Sequence, residues 1–242
     1  MKKDVYSRHI KNYQNHWWFK ARKNIIGEVL KQNIKKKNYE ILDYGAGSGT
    51  NINMLAKFGF VYVYEKDKKT QKYLNKKFNN NKKIKVVGKK YLLKKKFDLI
   101  VAADVVEHIK NDKKIIDQFH KKLKNSGLLM LTVPAFNFLY SKKDIALKHY
   151  RRYNLNEIKE LITSKFKYKK LTYYNFFLFF PIVIPIILFK ILNVQFIDSV
   201  EKTPNVIVNK LFYYIFNLEK FLIKFINFPF GISLILLAKK IK

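Results

Sequence analysis

The chain contains no cysteine, which excludes disulfides, zinc–thiolate centres and cysteine nucleophiles together. This is compatible with a reducing cytosol. Acidic residues are also scarce: 17 Asp and Glu stand against 50 Lys and Arg, a formal net charge of +33. Such a balance points to a polyanion, either an anionic membrane face or nucleic acid. It also fits drift toward the Lys-, Asn-, Ile-, Phe- and Tyr-rich composition of an A/T-rich coding sequence. Arginine is rare beside lysine, whereas dedicated phosphate readers often use the guanidinium fork. No appended RNA-binding module or aromatic-basic RNA motif is visible, so a membrane contact ranks ahead of nucleic acid. The apolar run Phe176 to Phe189 has 14 residues and carries Pro181 and Pro185. It falls short of the roughly 18–20 apolar residues of a spanning helix. Lys2 and Lys3 are followed by polar residues rather than a signal-peptide pattern, so the expected location is cytoplasmic, associated with the inner face of the membrane.

What is present reads as alternating strands and helices. Ile25, Ile26, Val29, Leu30 and Ile34 recur at spacings of three and four, the mark of one apolar helix face. Ahead of them stands His16-Trp17-Trp18-Phe19, with the chain's two tryptophans side by side. They serve either as a plug that fixes an N-terminal helix or as a lid over a ligand. Tyr39 to Tyr44 is a short strand that runs into Gly45-Ala46-Gly47-Ser48-Gly49, and a helix follows from Ile52. Glycines in a strand–turn–helix order let a backbone approach a ligand closely, and the helix start offers free N–H groups. Strands are further expected at Val61–Tyr64, Ile84–Val87, Phe97–Ala103, Leu128–Val133 and Gly231–Ala238, with helices over 68–78 and about 112–124. Glu65 closes the second strand, at the spacing where an α/β nucleotide site places a carboxylate for ribose hydroxyls. The order implies an α/β fold: a Rossmann-like, doubly wound, mostly parallel sheet with an apolar helical C-terminal insertion.

From Leu42-Asp43-Tyr44-Gly45-Ala46-Gly47-Ser48-Gly49, through Glu65, to Phe97-Asp98-Leu99-Ile100-Val101-Ala102-Ala103-Asp104-Val105-Val106-Glu107-His108-Ile109, the chain resembles class I S-adenosylmethionine-dependent methyltransferases. The resemblance covers about residues 39–134. It implies S-adenosyl-L-methionine as cofactor, with Gly45, Ala46, Gly47 and Gly49 packed against its methionine end. It also implies Asp43 beneath that turn, Glu65 on the ribose hydroxyls, and Asp104 and Val105 along the cofactor's edge. Many relatives carry an acidic residue near the end of the third strand for the adenine amino group. This chain has Val87-Gly88-Lys89-Lys90-Tyr91 there, and lysine cannot accept that hydrogen bond. The flanking His16-Trp17-Trp18-Phe19 and His149-Tyr150-Arg151-Arg152-Tyr153 resemble a bacterial and archaeal subgroup of these enzymes.

Methyl transfer from a sulfonium is an in-line displacement that rests largely on positioning, with a base for many oxygen or nitrogen acceptors. The expected catalytic residues are His149 and His108, which follow sheet strands on the ligand edge. Bracing of the following helix is the alternative for His108. His9 and His120 read as surface residues. His16, Trp17, Arg151 and Arg152 are the expected acceptor-binding residues, the two arginines suiting a phosphate or carboxylate. The alternative for the arginines is an ion pair with Asp144 or Glu157. No metal centre is expected. Four segments follow: an N-terminal helical lid over 1–37, the cofactor domain over 38–172, an apolar membrane-association and substrate insertion over 173–230, and a final strand with basic tail over 231–242. The partner is expected to be a small-molecule or lipidic acceptor, with peripheral or monotopic membrane contact through residues including Lys190, Lys210, Lys220 and Lys224. RNA methylation and a non-catalytic membrane-associated binding role are the alternatives.

Overall fold

The structure, a computed structural model, describes residues 15–35, 38–162, 165–192 and 203–241. His9 and the first part of the expected lid lie outside the described residues. A seven-stranded sheet has the order β3-β2-β1-β4-β5-β7-β6. Its strands are β1 (Tyr39–Tyr44), β2 (Gly59–Tyr64), β3 (Ile84–Val86), β4 (Phe97–Ala103), β5 (Leu123–Pro134), β6 (Phe166–Tyr174) and β7 (Ser233–Lys240). The first five pair in parallel, and β7 runs antiparallel to both β5 and β6. Central strands covered on both faces need apolar side chains on both faces. Accordingly Ile41 and Leu42 on β1, and Leu99, Ile100, Val101 and Ala102 on β4, are all buried.

The helices are α1 (Trp17–Asn33), α2 (Ile52–Leu55), α3 (Lys68–Phe78), α4 (Lys89–Lys94), α5 (Asp112–Lys122), α6 (Lys142–Leu147), α7 (Leu155–Ile162), α8 (Phe179–Ile191) and α9 (Val206–Leu222). Four helices begin on a polar side chain that takes a free amide: His16 accepts from Trp18 N, Asp67 from Thr70 N, Asn111 from Lys114 N and Asn205 from Val208 N. The helix expected over 112–124 ends two residues early, at Lys122. The strand expected from Leu128 starts at Leu123, with a register irregularity opposite Phe97 to Leu99.

Strand β6 was not foreseen, and the expected segment boundary at 172/173 cuts through it. Lys167, Tyr168 and Lys169 are exposed, and a bulge between Tyr168 and Lys170 breaks the alternation a strand would display. Lysines on an edge strand are also how sheets avoid pairing with other chains.

α8 and α9 lie between β6 and β7. α8 runs through Pro185 rather than breaking there, and Pro181 sits in its first turn, where amides have no intrahelical partner. α9 packs on α1 through aromatic rings. Trp17 meets Phe212 and Phe216 edge-on, Trp18 stacks on Phe216 and Tyr174, and Asn24 donates to Asn217 Oδ1 at 2.8 Å. Glu219 of α9 is fully buried. It accepts from the amides of Asn175, Phe176 and Phe177 and so fixes the approach to α8. Burial outweighs those three donors and pushes its carboxyl up to about 7. Among the described residues, no helix is long and apolar enough to cross a membrane.

Candidate active site

In an open α/β sheet the crevice forms beyond the carboxyl ends of the strands, where the strand order reverses. Here that point lies between β1 and β4. The chain leaves β1 into the glycine turn, which is tied to the end of β2: Gly45 N and Ala46 N both donate to Tyr64 O, at 2.8 and 3.2 Å. Glu65 continues the attachment. Its Oε2 accepts from Gly47 N at 3.0 Å and its Oε1 from Asp67 N at 3.1 Å. Asp67 in turn caps α3, so the carboxylate of Glu65 is set by a turn and a helix start together. A carboxylate has about four lone-pair sites, which leaves acceptor capacity for ligand hydroxyls.

Two glycines of the turn need their missing side chains for different reasons. Gly47 has φ +54° and a Cβ there would meet nothing within 4 Å, whereas Gly49 has φ +81° and a Cβ would strike Leu74, Ile52 and Phe78 at 2.9–3.0 Å. Open space is thus kept at Gly47, and a tight helix–turn contact at Gly49. Asp43 is buried beneath the turn, and its Oδ2 has no hydrogen-bonding partner among the described residues. Burial first, and then the charge of Glu65, pushes its carboxyl up to about 7. Val105 reaches the same place from the end of β4, its Cγ2 lying 2.7 Å from where a Cβ on Gly45 would sit.

Asp104 adopts φ +56°, accepts from Thr132 Oγ1 at 2.7 Å and forms an ion pair with Arg22 of α1. Arg22 is buried, and desolvation lowers its pKa. The pair joins the N-terminal helix to the end of β4. At the third strand, Val87 N donates to Val63 O, and α4 opens at Lys89.

A second group lies just past β4 and β5. Glu107 is fully buried, and burial pushes its carboxyl up to about 8. The rings of His108 and His149 meet edge-to-face, with centroids 4.6 Å apart. Burial, and then the neighbouring His149, lowers His108 to about 4, which favours its neutral form. His149 Nδ1 lies 2.8 Å from Asp144 Oδ1. Asp144 also receives Arg152 Nε at 3.0 Å and Nη2 at 2.9 Å, together with the amide of Ser141. These partners hold its carboxyl well below the usual carboxylate range, against the opposing effect of burial.

The structure therefore brings His108 and His149 together, and brings Asp43, the glycine turn, Glu65 and Val105 together. It engages the two arginines inside the fold: Arg152 with Asp144, and Arg151 with Asp112 and with Lys110 O at 2.6 Å. His16 caps α1, and Trp17 packs against α9 in the manner of a plug. The sequence reading assigned no role to Glu107, and considered Asp144 only as a partner for the arginines. The available signal was the Glu107-His108 pair directly after a sheet strand, with a distant His149 after the next one.

Comparisons with known proteins agree with this fold. Residues 15–167 match the profile of a family described as "Methyltransferase domain". The ribosomal RNA small subunit methyltransferase A of Mesomycoplasma hyopneumoniae (strain 232) is 41% identical over 69 residues, 28% of this chain and 26% of that protein. The chain thus spans about a quarter to a third of the length of the curated relatives it matches. Among solved structures, a Bacillus halodurans protein assigned to the methyltransferases matches with TM-score 0.58 and 17% identity, over 89% of this chain and 99% of its own. The plantazolicin methyltransferase BpumL, solved in complex with SAH, matches with TM-score 0.58 and 15% identity, over 99% of this chain and 90% of its own. At these identities the likeness is one of fold.

Proposed function

The chain belongs to the methyltransferase-domain family, and on that premise we propose that it transfers a methyl group from S-adenosyl-L-methionine to a lipid, isoprenoid quinone-precursor or lipid-linked sugar acceptor at the cytoplasmic face of a membrane. It is an S-adenosylmethionine-dependent methyltransferase. The glycine turn, Asp43, Glu65 and Val105 hold the cofactor. Gly47 leaves room for its methionine end, and Glu65 accepts from its ribose hydroxyls. His149, oriented by Asp144, and His108 beside it stand where an acceptor's proton has to be drawn off.

One observation carries the acceptor class: the outward faces of α8 and α9, and the turn after α9, expose large apolar side chains. Ile207 is 80% exposed and Phe225 78%, and Phe180, Ile184, Leu188 and Leu211 are each more than half exposed. Patches of this kind mark a partner or a bilayer. Lys210, Lys220 and Lys224 lie along the same helix and its end, within reach of anionic headgroups. A second reading, RNA methylation, is favoured by the net charge of +33 and by the match to a ribosomal RNA methyltransferase.

Flotation with anionic vesicles beside an RNA gel shift, both across a salt series, separates the two. We expect the protein to float with vesicles and to keep part of that binding at high salt. A variant with Phe180, Ile184, Ile207 and Phe225 changed to Ser should lose the salt-resistant part while keeping its fold. Salt-sensitive RNA binding with no flotation would overturn the lipid reading.

A further inference from the structure

Glu107 is fully buried, yet neither carboxylate oxygen has a hydrogen-bonding partner among the described residues. A carboxylate in that state is costly, and native folds rarely keep one without a reason. The nearby Arg22 and Arg152 favour its charged form but are paired with Asp104 and Asp144, and burial still outweighs them.

One ligand atom each from Glu107, His108 and His149 lies within 4.8 Å of the others. The imidazoles are prepared for the same task. Asp144 faces His149 Nδ1 at 2.8 Å and, as a carboxylate, only accepts, so Nδ1 carries a hydrogen and Nε2 is the nitrogen left to meet a ligand. Asp144 is itself held by Arg152 and Ser141. His108 is braced by the backbone at Leu147 and Lys148. A carboxylate behind a histidine is the usual support of a metal-binding imidazole.

We propose that Glu107, His108 and His149 form a binding site for a divalent transition-metal ion, which presents an open coordination position to a hydroxyl of the acceptor. Two imidazoles and one carboxylate, without thiolate, suit ions such as Zn2+, Co2+, Mn2+ or Fe2+ better than Mg2+ or Ca2+. Three protein ligands leave a position for a substrate oxygen. The acceptor half of the proposal rests on the methyltransferase reading. A hydroxyl bound to such an ion ionises more readily and passes its proton to solvent. Its oxygen then forms the bond to the methyl carbon as the bond from that carbon to sulfur breaks, and the electron pair returns the sulfonium to a neutral thioether. The acceptor is thereby an alcohol or phenol, and the histidines act on its proton through the ion rather than as free bases.

The test uses chelator-treated full-length protein titrated with Co2+ alone, followed by visible absorption and thermal shift, with calorimetry of S-adenosylhomocysteine on the metal-free protein. The expected result is one equivalent of Co2+, ligand-field bands and a raised Tm. Glu107→Gln should abolish both the bands and the Co2+-induced shift. A purely structural role for Glu107 would lower the Tm of the metal-free variant and leave the bands of its folded fraction in place. His149→Asn should also abolish the bands. His120→Ala, beside Phe166 and outside the cluster, should change nothing. Absence of bands, or bands that persist in Glu107→Gln, would overturn the site. Co2+ binding without any S-adenosylhomocysteine binding would uphold the site and sink the methyltransferase reading instead.

Discussion

Exchanging Gly47 and Gly49 for alanine one at a time should separate binding from folding within a single turn. Both residues have positive φ, +54° and +81°. An L-residue there costs roughly 1–2 kcal/mol, offset by about 0.4–1 kcal/mol from a less flexible unfolded chain. At Gly47 nothing lies within 4 Å of the added methyl, so the net loss is about 1 kcal/mol and a Tm drop of roughly 2–4 °C. At Gly49 the methyl meets Leu74, Ile52 and Phe78 at 2.9–3.0 Å, and all three are buried with little room to give. Overpacking adds about 1–3 kcal/mol, for a total Tm drop of roughly 5–15 °C. Cofactor affinity should rank the other way. The open space at Gly47 is where the methionine end must approach, so Gly47→Ala should weaken S-adenosylhomocysteine binding at least about tenfold, or 1.4 kcal/mol. Folded Gly49→Ala should bind close to the wild type. Scanning fluorimetry and calorimetry on both variants provide the readout. Wild-type affinity in Gly47→Ala would refute the assignment of this turn as the cofactor cradle.

Two further predictions concern stability. Asp144→Asn leaves Arg152, whose side chain is 11% exposed, as a buried cation without its carboxylate; the expected cost is about 3 kcal/mol in urea denaturation. Asp112→Asn should cost clearly less, because Arg151 is 31% exposed and better screened by water; equal costs would refute the burial argument. Glu219 supplies a pH dependence. Its carboxyl is raised to about 7 in the fold from an ordinary 4.5, so the folded state keeps a proton that the unfolded state releases. Its contribution is fully present below about pH 4.5 and is lost as pH rises through about 7, an effect of roughly 3 kcal/mol. Glu219→Gln should flatten the slope of the urea midpoint across that window, and an unchanged slope would refute the assignment.

The parts of the fold that were legible are those in which one physical cause leaves one local pattern. β4 reads as an apolar run from Leu99 to Ala102 because both its faces are covered, β1 reads through Ile41 and Leu42 leading into the glycine turn, and that turn reads because its backbone needs conformations that few residues adopt. β6 was hidden because exposed lysines and a bulge remove its alternation. Glu219 was hidden for a different reason: its partners are backbone amides 42–44 residues away, and a backbone amide has no letter of its own. The same holds in the site. Asp43, Glu65 and the glycines follow a local spacing, whereas the burial of Glu107 and the commitment of Arg152 to Asp144 depend on how distant segments close over one another.

The position of β7 has a consequence for biosynthesis. Among the described strands β6 pairs with β7 alone, and β7 sits between it and β5. A nascent chain that has released β6 from the ribosome therefore has no strand to pair it with until residues 233–240 emerge and slot in antiparallel. The cofactor half, β1 to β5 with its helices, can condense from nearby segments, but the second half waits on contacts such as Trp17 N to Asn209 Oδ1, which join residues 192 positions apart. During that interval α9 can rest on α1, which is made first, but β6 and the greasy surface of α8 lack the strand that ties them to the sheet. They are then at their most prone to aggregation, and also at their most available to a chaperone or to the membrane surface on which the finished protein is proposed to work.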